Sequence, residues 1–252
     1  MLSVPTVTDQ QIADFKDTGY LVLRGAYTPQ EVALFDTWTN EVVATPETPD
    51  GYWVYHETSL KGDGRDLICR IEKLSPFHAG FQQLQDSLRR TVGALMGEEA
   101  VLFKEKINFK MPGGDGFKPH QDSQAGWDAY ADFFVSALVC IDEATIENGC
   151  LQMVAGHHQK GLYQSWEPLS EDDMAGMDFR PCPTQPGDVV FFDCYAPHAS
   201  DPNMTDATRR IYFATYNKAS EGDHMAAYYA DKFKSYPPDI CRQAGKEYVF
   251  RV

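Results

Sequence analysis

Two histidines and one aspartate carry the most specific chemical signal in this 252-residue sequence. His120 and Asp122 stand two residues apart in KPHQDSQAGW, so an extended segment would point both side chains to the same side. His198 follows later, in YAPHASDPN, after the apolar run DVVFFD. Two imidazoles and a carboxylate on one face of an octahedron are the ligand set of non-haem Fe(II) oxygenases, and they leave other positions open. The spacing therefore predicts an Fe(II) site at these three residues.

Arg209 lies where such a site would need a cation. The open metal positions would take O2 and a chelating 2-oxo acid, whose far carboxylate needs a positively charged partner. Arg209 opens the run RRIYFATYN soon after His198, so a hairpin could place it beside that histidine. A guanidinium binds carboxylates through two parallel hydrogen bonds, and Ser200 could add a hydroxyl donor. Each residue taken singly has another explanation: His120 could cap a turn, His198 could be a half-buried histidine and Arg209 could form a surface ion pair. The joint spacing of the three favours the metal site.

Helices are predicted before residue 100. Thr8 with Gln11 and Thr28 with Glu31 fit the capping box that begins many helices, and residues 80–97 also look helical. The run HMAAYYADKFKS predicts a further helix in the C-terminal part, which two consecutive prolines would end. Between the early helices, GYLVLRG is typical of a strand. The stretch 46–66 contains several Gly and Pro residues and is interpreted as a loop, with the possibility of a lid role.

From about residue 100 the pattern is typical of β-structure. Short apolar or alternating runs are separated by Gly and Pro turns; they are AVLFKEKINFKM, FFVSALVCID, CLQMVAG, DVVFFD and RRIYFATYN. Four or more such strands, preceded by helices, predict a β-barrel or sandwich backed by helices.

The composition predicts an ordinary folded protein. Hydrophobic residues make up 43% and charged residues 23%, which excludes disordered, collagen-like and coiled-coil chains. The 37 acidic residues outnumber the 22 basic ones, and the net charge of −15 argues against nucleic acid and anionic membranes as partners. The six cysteines form no CxxC pair, and neither a signal peptide nor an apolar run long enough to span a membrane is evident. We therefore expect a cytoplasmic protein with a small-molecule substrate; its oligomeric state stays open.

The sequence resembles the phytanoyl-CoA dioxygenase (PhyH-like) family of Fe(II)/2-oxoglutarate oxygenases over nearly its whole length. The motifs that carry the resemblance are HQD at 120–122, NGCL at 148–151, AGHHQKG at 155–161 and HASDPNMTDATRR at 198–210, with Ala199 where the family usually has Gly. The resemblance implies a double-stranded β-helix, also called a jelly roll or cupin-like fold, that is mainly β with flanking helices. It implies one domain over 1–252, with a helical N-terminal part at about 8–97, a jelly-roll core at about 100–217 and a C-terminal helical extension at 220–252.

The resemblance also implies roles for individual residues. His120, Asp122 and His198 would hold Fe(II), and 2-oxoglutarate would be the cosubstrate that reacts with O2. Arg209 and Ser200 would bind its distal carboxylate, with Asn108, Lys73 and Gln121 as further candidates near the cosubstrate. An aspartate in the metal triad favours hydroxylation, because related halogenases have Ala or Gly there.

Candidate substrate residues surround this predicted site. Lys106 shares the polar face of its strand with Asn108 and is the best candidate for binding an anionic group, whereas Lys104 and Lys110 fit a solvated strand face at least as well. Gln121 is a second-shell or substrate-facing candidate. Trp127 and Tyr130 could form a wall of the substrate pocket or simply pack in the core, and with Asp132 they are candidates to meet an ammonium group.

Two segments, HQDSQAGWDAYADFF and TYNKASEGDHMAAYYADKFKSYPPD, are similar to the PhyH-like subgroup that hydroxylates 2-aminoethylphosphonate and its N-methylated relatives. We therefore expect hydroxylation of an aminoalkylphosphonate. Other PhyH-like substrates, such as amino acids, ectoine-like solutes and natural-product intermediates, remain open. Outside this class, the alternatives are a cupin-type metal-binding protein that needs no 2-oxo acid, a zinc hydrolase and a non-catalytic binding protein.

Overall fold

Two antiparallel β-sheets form the core, and the computed structural model describes residues 2–249. The larger sheet contains, in spatial order, β1 (Tyr20–Leu23), β9 (Val189–Asp193), β6 (Phe134–Cys140), β11 (Arg209–Lys218), β4 (Ala100–Lys110), β3 (Asp66–Glu72) and β2 (Trp53–Thr58). The smaller sheet contains β5 (Phe117–His120), β10 (His198–Ser200), β7 (Leu151–Met153) and β8 (Arg180–Cys182). The sheets form the predicted double-stranded β-helix, and a cavity of about 620 Å³ is lined by strands of both.

Four α-helices accompany the sheets: α1 (Asp9–Thr18), α2 (Pro29–Ala44), α3 (Ala79–Met96) and α4 (Met225–Ser235). Both predicted capping boxes are present at the starts of α1 and α2. The longest helix, α3, buries Phe81, Leu84 and Leu88 in the same apolar cluster as Ile107 and Tyr212 of the larger sheet. This packing covers one face of that sheet with helices and leaves the other face for the cavity.

The alternation of β4 places its polar side chains inside the barrel. Lys104, Lys106 and Asn108 line the cavity, while Ile107 belongs to the apolar cluster on the opposite face. Lys110, on the polar face, is only 1% exposed. The solvated interpretation of Lys104 and Lys110 is therefore wrong, because Trp127 and, on α4, Tyr228 cover Lys104 and β10 of the smaller sheet covers Lys110.

The predicted loop at 46–66 contains an edge strand, β2, which pairs with β3. The predicted helical part at 8–97 thus contributes β1, β2 and β3 to the larger sheet. Trp53, Val54 and Tyr55 are all buried, so β2 lacks the alternation by which a half-exposed strand is recognised.

The C-terminal extension contains α4, which ends at Ser235 before the two prolines, as the sequence predicts. A short 3-10 turn at Asp239–Cys241 follows and packs against β2. Met1 and residues 250–252, which the predicted domain limits include, lie outside the described residues. Among residues 2–249, no helix has both the length and the apolar character needed to cross a membrane.

Gly149, in the NGCL motif, lies just before β7 and packs against the backbone that follows β10. Its backbone is left-handed, with φ of 76°, and a Cβ there would overlap the carbonyl oxygen of Asp201. Gly156 has a similar φ of 78°, but a Cβ there would meet nothing within 4 Å.

We expect Gly149→Ala to lower the free energy of unfolding by clearly more than Gly156→Ala. Both variants carry the backbone cost of about 1–2 kcal/mol for a left-handed non-glycine residue, but only Gly149→Ala adds a steric overlap. Urea denaturation of the two variants checks this, and equal losses would contradict the packing described at Gly149.

Candidate iron and 2-oxoglutarate site

Strand pairing brings the two predicted histidine ligands together. β10 pairs with β5 so that His198 lies directly opposite His120, with their ring centroids 4.2 Å apart. Asp122 follows β5 in a 3-10 turn, and its Oδ1 lies 4.0 Å from His198 Nε2. One ligand atom from each residue can be chosen so that all lie within 4.8 Å of one another, the one such group of three found in residues 2–249. The turn after β5, rather than strand alternation, places the aspartate on the same side as the histidines.

Hydrogen bonds orient both imidazoles toward a common point. The Nδ1 atom of His120 lies 2.7 Å from the carbonyl oxygen of Lys118, and Nδ1 of His198 lies 3.0 Å from that of Ala196. A carbonyl only accepts, so Nδ1 carries the proton in each ring and Nε2 keeps its lone pair for a metal. Burial lowers the pKa of both histidines, that of His120 to about 3 with a further contribution from His198, so both rings are neutral at pH 7.

Ser136 on β6 fixes the carboxylate of the triad. Its hydroxyl donates to Oδ2 of Asp122 at 3.0 Å and lies 2.9 Å from the hydroxyl of Thr215. Burial by itself would raise the pKa of Asp122, but His198 and Lys104 outweigh it and lower this pKa. The donor set is thus two neutral imidazoles and one ionised carboxylate, which fits Fe(II).

Arg209 lies in the cavity wall, and the ion pairs found among residues 2–249 do not include it. Its side chain is buried, at 3% exposure, and its Nε atom has no hydrogen-bond partner in the described structure. Burial lowers the pKa of the guanidinium to about 10, so it stays charged at pH 7. Asn108 on the adjacent strand also lines the cavity and has a buried, unpartnered Oδ1. These unsatisfied groups fit a bound polar molecule, and a buried guanidinium calls for a carboxylate.

Lys110 joins this region, although its sequence context fits a solvated strand face at least as well. It lies opposite Arg209 in the β4–β11 pairing, and its ammonium donates to the Ser200 hydroxyl at 2.8 Å and to the carbonyl of Asp201. Burial and the neighbouring Arg209 lower the pKa of Lys110 to about 7. The signal that could have revealed it is the alternation that places it on the same face as Asn108.

Three predicted residues do not face the cavity. Lys73 has a left-handed backbone, with φ of 62°, and its ammonium lies 5.7 Å from the ring centroid of Trp53. Gln121 is buried, and its amide donates to the carbonyls of Gly161 and Tyr195 at 2.8 and 2.6 Å. Asp132 is exposed and does not line the cavity. None of these three side chains lines the cavity in the described structure, so their contacts with cosubstrate or substrate stay predictions, while Gln121 joins the loops around the triad.

Trp127 and Tyr130 line the cavity, as one of the two sequence interpretations proposed, and two basic residues join them that the sequence did not reveal. Arg70 lies on β3 and Lys232 on α4, and both ion-pair with the buried Glu72, at 3.3 and 2.5 Å respectively. Burial alone would raise the pKa of Glu72, but Lys232 and Arg70 together lower it to about 2.

The cavity wall is rich in basic side chains, although the protein as a whole carries a net charge of −15. In the described part of the chain, five basic side chains line it: Arg70, Lys104, Lys106, Arg209 and Lys232. Burial lowers the pKa of Lys104 to about 8 and that of Lys106 well below its usual value. Lys104 lies over the ring of Trp127 at 3.9 Å, and the ion pairs found among residues 2–249 include neither lysine; the nearby Glu72 pairs with Arg70 and Lys232 instead. Anionic ligands would compensate this charge.

Comparisons with known proteins agree with the fold and the site. The model of the phytanoyl-CoA dioxygenase (PhyH) family matches residues 15–211. A 2-aminoethylphosphonate dioxygenase of an uncultured bacterium is 38% identical over 246 residues, which cover 96% of this chain and 93% of that protein. A methylphosphonate hydroxylase of Gimesia maris is 39% identical over 235 residues, which cover 92% of this chain and 88% of that protein.

Among solved structures, that of EctD from S. alaskensis with 2-oxoglutarate and 5-hydroxyectoine is similar to this fold. The TM-score is 0.71 at 25% sequence identity, covering 85% of this chain and 77% of that one. The fold, the triad and these similarities define a 2-oxoglutarate-dependent non-haem iron dioxygenase. The chain belongs to the phytanoyl-CoA dioxygenase (PhyH) family. Its cofactor is Fe(II), and its cosubstrates are 2-oxoglutarate and O2.

We expect Ser136→Ala to weaken Fe(II) binding by about 10- to 100-fold, because partners that orient a metal ligand contribute on this scale. Equilibrium dialysis under nitrogen measures this affinity. Ser87→Ala is the matched control, since it also removes a buried hydroxyl but at a hydrogen bond to Tyr27. Unchanged Fe(II) affinity in Ser136→Ala would contradict the role given to this serine.

Proposed function

We propose that this enzyme hydroxylates a C–H bond of a small phosphonate. The observation that carries the proposal is the cluster of basic side chains in the cavity that contains the metal triad. The two relatives named above act, by their names, on 2-aminoethylphosphonate and methylphosphonate, whose shared group is the phosphonate. A phosphonate dianion would compensate charges that the protein itself leaves unpaired.

In this proposal, His120, Asp122 and His198 hold Fe(II) through the two Nε2 atoms and the carboxylate. When bound, the iron supplies the redox chemistry that couples oxidative decarboxylation of 2-oxoglutarate to hydroxylation of the substrate, with succinate and CO2 as coproducts. The protein's own contribution is to position the reactants and to hold the imidazoles in the required tautomer.

Arg209 binds the distal carboxylate of 2-oxoglutarate in this proposal. Its guanidinium is buried and charged, and a carboxylate is the acceptor that matches its planar donors. Because Lys110 donates to the Ser200 oxygen, the Ser200 hydrogen is free to donate to the same carboxylate. Asn108, which lines the same cavity, would donate to the cosubstrate from its amide nitrogen, because its oxygen only accepts.

Lys104 and Lys106 are the proposed phosphonate-binding residues. Both lie on β4 and line the same cavity as the triad. The Lys106 ammonium lies 5.0 Å from the ring centroid of Phe213, an aromatic wall that does not neutralise its charge. A neutral or singly charged substrate, such as ectoine or an amino acid, would leave more of this charge uncompensated, which favours the phosphonate.

Succinate formation tests the proposal directly. Anaerobically purified, Fe(II)-loaded enzyme is given 2-oxoglutarate, O2 and one compound from a panel of 2-aminoethylphosphonate, its trimethylated analogue, methylphosphonate, ectoine and free amino acids. We expect a phosphonate to stimulate succinate release and to give a hydroxylated product, with no activity in His120→Ala. We also expect Arg209→Ala to raise the KM for 2-oxoglutarate at least about 10-fold, since hydrogen bonds to charged groups contribute about 1.5–3 kcal/mol.

Other outcomes would assign the protein differently. Stimulation by ectoine or an amino acid alone would keep the dioxygenase and reject the phosphonate. Turnover that needs no 2-oxoglutarate and does not depend on Arg209 would instead support the cupin-type alternative. Anaerobic hydrolysis with Zn2+ would support the hydrolase.

Phosphonate binding should take up protons at alkaline pH. Burial lowers the pKa of Lys104 to about 8 in the free protein, and a bound dianion would favour the ammonium form and raise this pKa. Affinity should therefore fall as pH rises from about 8 toward the usual lysine value of about 10.4.

Anaerobic calorimetry in two buffers with different ionisation enthalpies measures the proton uptake. Lys104→Arg is the matched control, because arginine stays charged throughout this range. We expect less proton uptake in Lys104→Arg than in the wild type. Equal uptake by the two proteins would show that Lys104 does not face the bound anion.

A further inference from the structure

One face of α4 closes part of the cavity. Tyr228, Asp231, Lys232 and Ser235 of this helix line it, and their spacing of three, four and seven residues places them on one side of an α-helix. The helix lies outside residues 15–211, the part of the chain that the family model matches.

The charged groups on this face of α4 differ in how deeply they are buried. Lys232 is largely buried and pairs with Glu72 at 2.5 Å. Lys104 lies 5.6 Å from the ring centroid of Tyr228. Asp231, one helical turn along from Tyr228, has a side chain that is 56% exposed. Positive charge thus lies on the barrel side of α4, and a carboxylate lies toward the solvent.

Carboxylates are few around this cavity. In the part of the chain that the structure describes, three line it, namely Asp122, Asp231 and Glu247. Asp122 belongs to the metal triad, so it is not available to a substrate ammonium. Asp231 is held in place by the hydroxyl of Tyr130, which donates to its Oδ2 at 3.0 Å, while Oδ1 lies 2.8 Å from the ammonium of Lys234. That ion pair is exposed, and such pairs contribute little and are readily exchanged.

We propose that Asp231 binds the ammonium group of the substrate and that Tyr130 positions its carboxylate. The phosphonate then points inward to Lys104 and Lys106, and the carbon chain lies between the two charged ends. The inference rests on the proposed function and deepens it, because the named relatives leave open whether the substrate carries an amine. The structure points to an aminoalkylphosphonate in preference to methylphosphonate.

Tyr228 and Asp231 lie three residues apart on α4, so their Cβ atoms are about 5–6 Å apart. Lys104 lies beside the ring of Tyr228, and all three residues line the same cavity. A zwitterion that lies along this face of the helix would contact both the lysine and the carboxylate. Attachment at both ends also restricts rotation of the substrate, and so limits which carbon faces the metal.

The test compares substrates in one variant. Asp231→Asn keeps the size of the side chain and removes its charge at a partly exposed helix position. We expect its kcat/KM for 2-aminoethylphosphonate to fall about 5-fold, the upper end for an ion pair at an exposed carboxylate. Its kcat/KM for methylphosphonate should stay within about twofold of wild type, since that molecule has no ammonium.

Three further variants sharpen this comparison. Tyr130→Phe should shift the ratio of the two kcat/KM values in the same direction by a smaller amount, which a purely structural defect would not do. Lys234→Met removes the competing ammonium and should lower the KM for 2-aminoethylphosphonate. Asp128→Asn removes an exposed carboxylate that does not line the cavity, so the substrate preference should not change.

The failures of the two proposals are distinguishable. If wild-type enzyme turns over neither phosphonate, the proposed function fails. If it turns over both, and Asp231→Asn lowers both kcat/KM values equally or leaves both unchanged, the assignment of Asp231 is overturned while the phosphonate hydroxylase stands.

Discussion

Uncompensated positive charge inside the barrel is the constraint on which the arrangement of the site depends. Moving an ion out of water costs several kcal/mol unless a partner restores its interactions. The cavity nevertheless contains five basic side chains, of which Arg70 and Lys232 pair with Glu72. The remaining buried charges lower the free energy of unfolding of the ligand-free protein, and bound anions would offset this cost. Burial lowers the pKa values of Lys104 and Lys106 for the same reason.

The metal site depends on a short and specific piece of strand pairing. β5 and β10 are only four and three residues long, yet their pairing places His120 and His198 opposite each other. Backbone carbonyls two residues before each histidine fix both rings. Gln121, between two predicted ligands, bonds to the backbone of the surrounding loops and prevents the segment from rotating. The orientation of the two imidazoles is thus set by backbone groups, whereas that of the carboxylate depends on the side chain of Ser136.

Local spacing was sufficient to predict that the three triad residues converge and that Arg209 lies in the wall of the same cavity. His198 and Arg209 stand beside apolar strands, whereas β5, the strand of His120, has the sequence FKPH and no apolar pattern. Spacing was also sufficient for the polar face of β4, although not for its burial, which depends on the Trp127 turn, α4 and β10. Arg70 could not be found in this way, since β3 is defined by pairing with its neighbours. Lys73 was misplaced because it follows the end of β3 with a left-handed backbone that directs it toward Trp53.

Lys232 and Asp231 show why the substrate side of the site is harder to predict than the metal side. Neighbouring residues on a helix point in directions about 100° apart, so one reaches the buried Glu72 and the other reaches Tyr130 near the solvent. How α4 packs on the barrel decides which of the two residues is buried and which lies near the solvent. The local sequence pattern contains no information about that packing. The Lys232–Glu72 ion pair is itself part of the contact, because it joins α4 to β3 across the cavity wall. A change in this pair would move Asp231, the carboxylate of α4 that lies toward the solvent, without altering the triad. The helix can therefore adjust substrate choice while the barrel retains the chemistry.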